Sequence, residues 1–254
     1  MSLFKRLFGR KTAPAPALAP FDAAIAPDAP FFAIGDLHGC YAQMLTLMDQ
    51  MQARDADAPL VFVGDYVDRG EQSADVLRAL FDRRDDDQVI CITGNHEDMM
   101  LGFIDQPTAK GERWLRYGGM QTLASFGVGG VSPTAKGDAL VDAAARLADA
   151  MGADMINWLR DLPSMWQSGN VTVVHAGADP AKPLFLQGAK TLAWGHADFD
   201  TVPRQDGTWV LHGHTIVDQA TAANGRIAVD TGAYATGQLT AAYVTAGDVD
   251  FLQT

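Results

Sequence analysis

The chain has 254 residues, a formal net charge of −12 and 48% hydrophobic residues. That is enough length for one large domain or a domain with a cap, and enough apolar content to exclude a wholly disordered chain. Negative charge of this size repels nucleic acid, anionic membrane and phosphorylated ligands alike, so phosphate chemistry here would need a local positive field from metal ions or arginines.

Residues 1–11 are basic, with Leu3, Phe4, Leu7 and Phe8 between the charges. They read as a solvated tail, with a short amphipathic membrane anchor as the less favoured alternative. Residues 12–30 carry Pro14, Pro16, Pro20, Pro27 and Pro30 among alanines, a composition that predicts an extended linker burying nothing. The expected division is therefore a disordered tail over 1–30 and a folded domain over 31–254. Within that domain, short apolar runs at 31–34, 60–63, 89–93, 171–174, 209–211 and 227–229 each stop at Gly, Asp, Asn or His, as buried strands do. Met44, Leu45, Met48 and Met51 recur at helical spacing, as do Val76, Leu77, Leu80 and Phe81, predicting helices over 41–52 and 73–84. Strand–helix alternation of this kind implies an α/β sheet. Residues 99–165 lack strand runs, and 138–151 and 154–162 read as helices, so this stretch is expected to form a helical insertion. Residues 239–244 and 249–252 read as a closing hairpin. No stretch approaches the ~20 apolar residues of a membrane-spanning helix. Cys40 and Cys91 read as reduced thiols of a cytoplasmic protein.

Five polar clusters follow five of the apolar runs: Gly35-Asp36-Leu37-His38-Gly39, Gly64-Asp65-Tyr66-Val67-Asp68-Arg69-Gly70, Gly94-Asn95-His96-Glu97, His175-Ala176-Gly177 and Gly213-His214-Thr215. In an open α/β sheet, ligands bind beyond the carboxyl ends of the strands. Carboxylate and amide oxygens mixed with imidazoles suit divalent first-row metals. The groups are too many for one ion and fit two, held ~3.5–4 Å apart around an in-line displacement at phosphorus.

In this order the clusters resemble the phosphoprotein phosphatase family of calcineurin-like metallophosphoesterases, and residues 229–240 are similar to its bacterial and phage branch. The resemblance implies a four-layer αββα sandwich with a helical insertion. It implies two divalent ions, manganese foremost and iron or zinc as alternatives. Asp36 and His38 would bind one ion, Asp65 would bridge, and Asn95, His175 and His214 would hold the other. A hydroxide between the ions would attack phosphorus in line, His96 would protonate the leaving oxygen, Asp68 would hold His96, and Arg69 would clamp the phosphate. The expected substrate is a phosphomonoester, foremost phosphoserine or phosphothreonine in protein. The alternative is symmetrical hydrolysis of diadenosine tetraphosphate, and a non-catalytic phosphate-binding protein is the reading from a different class. Nucleic acid is not an expected partner.

Where relatives often carry a second phosphate-clamping arginine, this chain has His196 after Trp194-Gly195, with Arg204 as a possible substitute. His212 reads as a supporting residue on the same strand face as His214. Asp230 reads as a turn residue or a partner of a ligand histidine, Glu97 as structural, and Trp114, Tyr117 and Trp158 as packing of the insertion.

Overall fold

The computed structural model describes residues 19–254. The tail reading for 1–11 and the first part of the Pro-rich stretch, residues 12–18, lie outside them. From Phe31 the chain alternates β1 (Phe31–Ile34), α1 (Tyr41–Arg54), β2 (Leu60–Phe62), α2 (Ser73–Phe81) and β3 (Val89–Cys91). Every regular element between β3 and the next strand is helical: α3 (Asn95–Asp105), α4 (Pro107–Trp114), a π-helical turn over Leu115–Gly119, α5 (Met120–Ser125), α6 (Asp138–Met151) and α7 (Ala153–Asp161). Then follow β4 (Met165–Ser168), β5 (Val171–Val174), α8 (Ala189–Trp194), β6 (Trp209–His212), β7 (Thr221–Ala223), β8 (Arg226–Ala228), α9 (Ala233–Thr236), β9 (Thr240–Thr245) and β10 (Asp248–Gln253).

The strands form two five-stranded sheets, ordered β10-β9-β1-β2-β3 and β4-β5-β6-β8-β7. The cores are parallel, β1 with β2 and β3 in one sheet and β5 with β6 and β8 in the other. Strand alternation sends Phe31, Ala33, Val61 and Val63 toward the second sheet, where they meet Val171, Val173, Leu211 and Ile227. The opposite faces carry Phe32, Ile34 and Phe62 against Met44, Leu47, Leu77 and Phe103 of the helices. Val174 and Val210 face Leu192 and Phe199 on the far side of the second sheet. This is the expected α/β sandwich, two mixed sheets between helical layers. Strands buried on both faces are apolar almost throughout, which is why β1 reads as a continuous hydrophobic run and β5 departs from one only at Thr172. Each such Phe or Val contributes about 1.5–3 kcal/mol of burial.

Residues 19–30 correct the expectation of a segment that buries nothing. Ile25 is buried, and the Phe21 ring packs edge-on against Trp209 at 5.1 Å. The segment is laced down by backbone groups. Trp209 Nε1 donates to Ala23 O at 2.9 Å, Asn170 Nδ2 to Ala24 O at 2.8 Å, and Gly247 N to Ile25 O at 2.8 Å. Asn170, Gly207, Trp209 and Gly247 stand where strands begin or turn back at the amino-terminal end of the parallel strands. The segment therefore closes the floor of the sandwich, and the carboxyl ends of the strands remain open at the other end.

Candidate metal centre

At that open end the backbone is held in an unusual shape. His38, Asp65, Asp68, Arg69 and His214 all adopt positive φ, between 41° and 73°. The left-handed region is costly for residues with a Cβ, roughly 1–3 kcal/mol each, and clusters at functional sites. Glycine neighbours make the turns feasible because the surrounding atoms leave no room for a Cβ. A Cβ on Gly70 would lie 2.0 Å from His38 O, and one on Gly213 would lie 2.0 Å from Asp36 Oδ1.

Asp65 sits at the middle, 1% exposed. His38 Nε2 lies 3.5 Å from its Oδ2 and His175 Nε2 3.3 Å from its Oδ1. Two groups of ligand atoms converge on it, His38–Asp65–His96 on one side and Asp65–His175–His214 on the other. Asn95, the first residue of α3, brings Oδ1 to 2.8 Å from His175 Nε2. His38 Nδ1 donates to Val67 O at 2.7 Å and His175 Nδ1 to Val63 O at 2.9 Å, which aims each Nε2 inward. His38 Nε2 is a buried nitrogen with no hydrogen-bond partner. A buried orphan nitrogen aimed at a carboxylate is what a metal ligand looks like, and carbonyl-anchored imidazoles are the usual ligand form. Asp36 completes the ring differently: both its oxygens accept the His214 N–H at 3.1 Å, and it belongs to neither three-residue group.

The electrostatics call for cations. Burial, with Asp230 and Asp65 nearby, pushes the Asp36 carboxyl well up. Burial opposes ionisation of Asp65 as well, but His175, His96 and His38 overcome it and hold that carboxyl well below the usual range. Burial drives His38 to about 3 and, with His175, His214 to about 4, so both imidazoles are neutral, the form that binds metal. His175 resists burial because Asp65 and Asp36 hold it up to about 10. Divalent ions would compensate the same crowded carboxylates.

His96, next on α3, is bound differently. Its N–H donates to Asp65 Oδ1 at 2.9 Å, its Nδ1 donates to Asp68 Oδ2 at 2.6 Å, and its Nε2 lies 3.1 Å from Arg69 Nη2. Burial opposes its protonation, yet Asp65 and the Asp68 hydrogen bond raise its pKa. Asp68, fully buried, accepts from Trp114 Nε1 at 2.9 Å and from Thr122 Oγ1 at 2.7 Å. Trp114 was expected only to pack the insertion; its ring does stack on Phe103, but its N–H fixes the carboxylate. Thr122 went unnoticed, being an ordinary residue 54 positions away. Arg69 lies over the Tyr234 ring at 4.9 Å. Glu97 is structural in a specific way: it accepts the N–H groups of Asp65, Tyr66 and Gly94 at 2.7–3.0 Å and so sets the Asp65 loop.

Other expectations change. His212 does not share a face with His214, because the positive φ at His214 turns the chain out of the strand; the His212 ring packs on Phe199. Arg204 is no second clamp, since its guanidinium is taken by Asp206, Asp179 O and Lys182 O. His196 sits beside Asp179 at 3.9 Å. Asp230 keeps its turn role, accepting Gly232 N at 2.9 Å, while lying close enough to raise Asp36. Trp158 packs on Phe81, but Tyr117 is 47% exposed, with its ring 6.5 Å from His96.

Residues 29–218 match the calcineurin-like phosphoesterase family. The chain belongs to that family. As a calcineurin-like phosphoesterase it is a metal-dependent hydrolase of phosphate esters. Among similar proteins, the asymmetrical bis(5'-nucleosyl)-tetraphosphatase PrpE of Bacillus velezensis is 26% identical over 238 residues, covering 82% of this chain and 86% of that one. The symmetrical bis(5'-nucleosyl)-tetraphosphatase of Pseudomonas fluorescens is 30% identical over 151 residues, 59% of this chain and 43% of the relative, so the match spans less than half the relative's length. A crystal structure presented as a candidate diadenosine tetraphosphatase superposes with a TM-score of 0.62 at 20% identity, over 91% of this chain and 98% of that one. A cold-active protein-tyrosine phosphatase of a psychrophilic Shewanella superposes with a TM-score of 0.58 at 19% identity, over 91% and 83%. At these identities the superpositions establish the fold.

Proposed function

We propose that the protein hydrolyses dinucleoside polyphosphates such as diadenosine tetraphosphate. The observation that carries this reading is the pair of ligand groups sharing Asp65, His96 standing within the first, with Arg69 beside His96 and an exposed aromatic rim of Tyr117 and Tyr234 around them. The match to a tetraphosphatase over most of both chains supports it. It takes precedence over the phosphoserine and phosphothreonine reading, because the curated relatives named above are tetraphosphatases.

In this reading Asp36, His38 and Asp65 would hold one divalent ion and Asp65, Asn95, His175 and His214 would hold the other, manganese being the leading choice and iron or zinc the alternatives. Two such ions supply positive charge at the phosphoryl oxygens and lower the pKa of water toward ~7, so a nucleophile exists at neutral pH. Arg69 presents a planar fork to the phosphate. His96 carries the proton for the leaving oxygen at Nε2, and Asp68 fixes its tautomer through Nδ1.

The test is product analysis on Mn²⁺-loaded protein given diadenosine tetraphosphate or a phosphoserine peptide. The expected result is nucleotide release that needs metal and falls at least ~10²-fold in Asp65→Asn. ADP alone reports symmetrical cleavage, and ATP with AMP reports asymmetrical cleavage. Phosphate from the peptide with the dinucleotide intact would restore the protein phosphatase reading.

A further inference from the structure

A groove of about 1090 Å³ lies beside the ring of ligand side chains. It runs between α3 and α4 on one side and α7 and α8 on the other, from Gly94 to Asp105. Eleven residues of helix at ~1.5 Å each give it a length of roughly 16 Å. Asp98, Gly102 and Asp105 line it at helical spacing, and Asn95 precedes them on the same face of α3. The groove therefore starts at the turn of helix that carries Asn95 and leads away from the metal centre. Its size lies just above the ~300–1,000 Å³ of small-molecule pockets.

Its charge opposes that of the protein. Lys110, Arg113, Arg160 and Lys190 line it against Asp98 and Asp105, in a chain of net charge −12. Asp105 is already paired with Arg160 at 2.5 Å, which leaves three cations against Asp98. The floor is built for one of them. Gly102 stands mid-helix, where glycine costs about 1 kcal/mol relative to alanine. A Cβ there would meet Lys110 Cδ at 2.8 Å and Nζ at 3.2 Å, so the lysine lies across the space the glycine leaves. At the mouth, the Arg113 guanidinium lies 4.9 Å from the Trp194 ring and 5.6 Å from Tyr117, the tyrosine facing His96. Arg113 thus stands beside Trp194 in space, near where His196 left the clamp missing in sequence.

We propose that this groove receives the part of a nucleoside polyphosphate that extends beyond the phosphorus under attack. Polyphosphate oxygens lie on Arg113, Lys110 and Lys190, and the base lies against the Trp194–Arg113 stack. The proposal rests on the dinucleotide reading above, so its test includes a measurement independent of turnover. Lys110 and Lys190 are exposed, and the double variant Lys110→Glu/Lys190→Glu is expected to keep its fold, which a thermal melt checks. Calorimetric titration of Mn²⁺-loaded protein with a methylene-bridged, non-hydrolysable diadenosine tetraphosphate should show Kd weakened roughly tenfold or more in the variant. The ratio of kcat/KM for diadenosine tetraphosphate to that for p-nitrophenyl phosphate should fall by a similar factor. A parent that binds the analogue through these lysines without cleaving the dinucleotide would sink the functional reading and leave the groove standing. Analogue binding within about twofold of the parent would overturn the groove. So would weakening confined to an acidic phosphopeptide, which would make the occupant a protein segment.

Discussion

His96 and Asp68 show how neighbouring side chains divide the chemistry at this site. Both imidazoles nearest Asp65 through α3 and β5 are buried, but His175 turns its Nε2 to Asn95 and Asp65 whereas His96 has Nδ1 committed to Asp68. A histidine with one nitrogen pinned to a carboxylate keeps its proton to higher pH. The sign follows for Asp68→Asn. Loss of the negative charge no longer favours the imidazolium, so the His96 pKa falls, and the proton donor is lost earlier as pH rises. The alkaline limb of the kcat profile should move to lower pH, with turnover reduced and metal content retained. Coincident alkaline limbs in parent and variant would remove this pair from proton delivery. The ligand residues were legible because left-handed turns need glycines beside them, and glycine next to Asp, Asn or His at a strand end is a conspicuous pattern. Glu97 was less so, because its role is to gather backbone N–H groups and nothing in its spacing announces that.

At the scale of elements, the insertion is part of the site rather than a cover for it. Trp114 at the end of α4 and Thr122 in α5 both donate to Asp68, and Gly118 between them accepts Arg69 N at 3.3 Å. Trp114→Phe keeps a ring on Phe103 and removes the N–H. Depriving a buried carboxylate of a donor costs about 1–3 kcal/mol, so the melting temperature should drop, and kcat should fall roughly tenfold as His96 loses its fixed partner. A variant as active as the parent would separate the insertion from catalysis. Strands β1, β2, β5 and β6 were readable from apolar runs because both their faces are covered. β4 and β7 were not, since β4 ends in Gln167 and Ser168 and β7, Thr221–Ala223, is exposed along its whole length with no large apolar residue. The links from α4 and α5 to Asp68 span 46 and 54 residues. Helical periodicity marks Trp114 as core and says nothing about where its N–H points.

For the whole molecule, the two ends of the parallel strands do opposite work. One end carries the strained turns and crowded carboxylates; the other is tied shut by residues 19–30, whose composition suggested a linker because most of its bonds are made by its backbone N–H and C=O groups, with Asp28 Oδ2 accepting Gly169 N beside them. Phe21→Ala should cost about 2 kcal/mol, below the ~3–5 kcal/mol of a fully buried phenylalanine, since Phe21 is half-buried against Trp209. Hydrolysis of p-nitrophenyl phosphate at moderate temperature should persist. An unchanged melting temperature would show the segment to be dispensable. The same tie marks one side of the fold for attachment. Ala19 sits at the floor, where its carbonyl accepts Gln205 Nε2 at 3.1 Å, so a resin, tether or fluorophore fixed at residue 19 attaches on the side remote from the reactive rim. Immobilised that way, the protein would present its open mouth to the bulk solution, and a bulky anionic substrate would reach it without crossing the support.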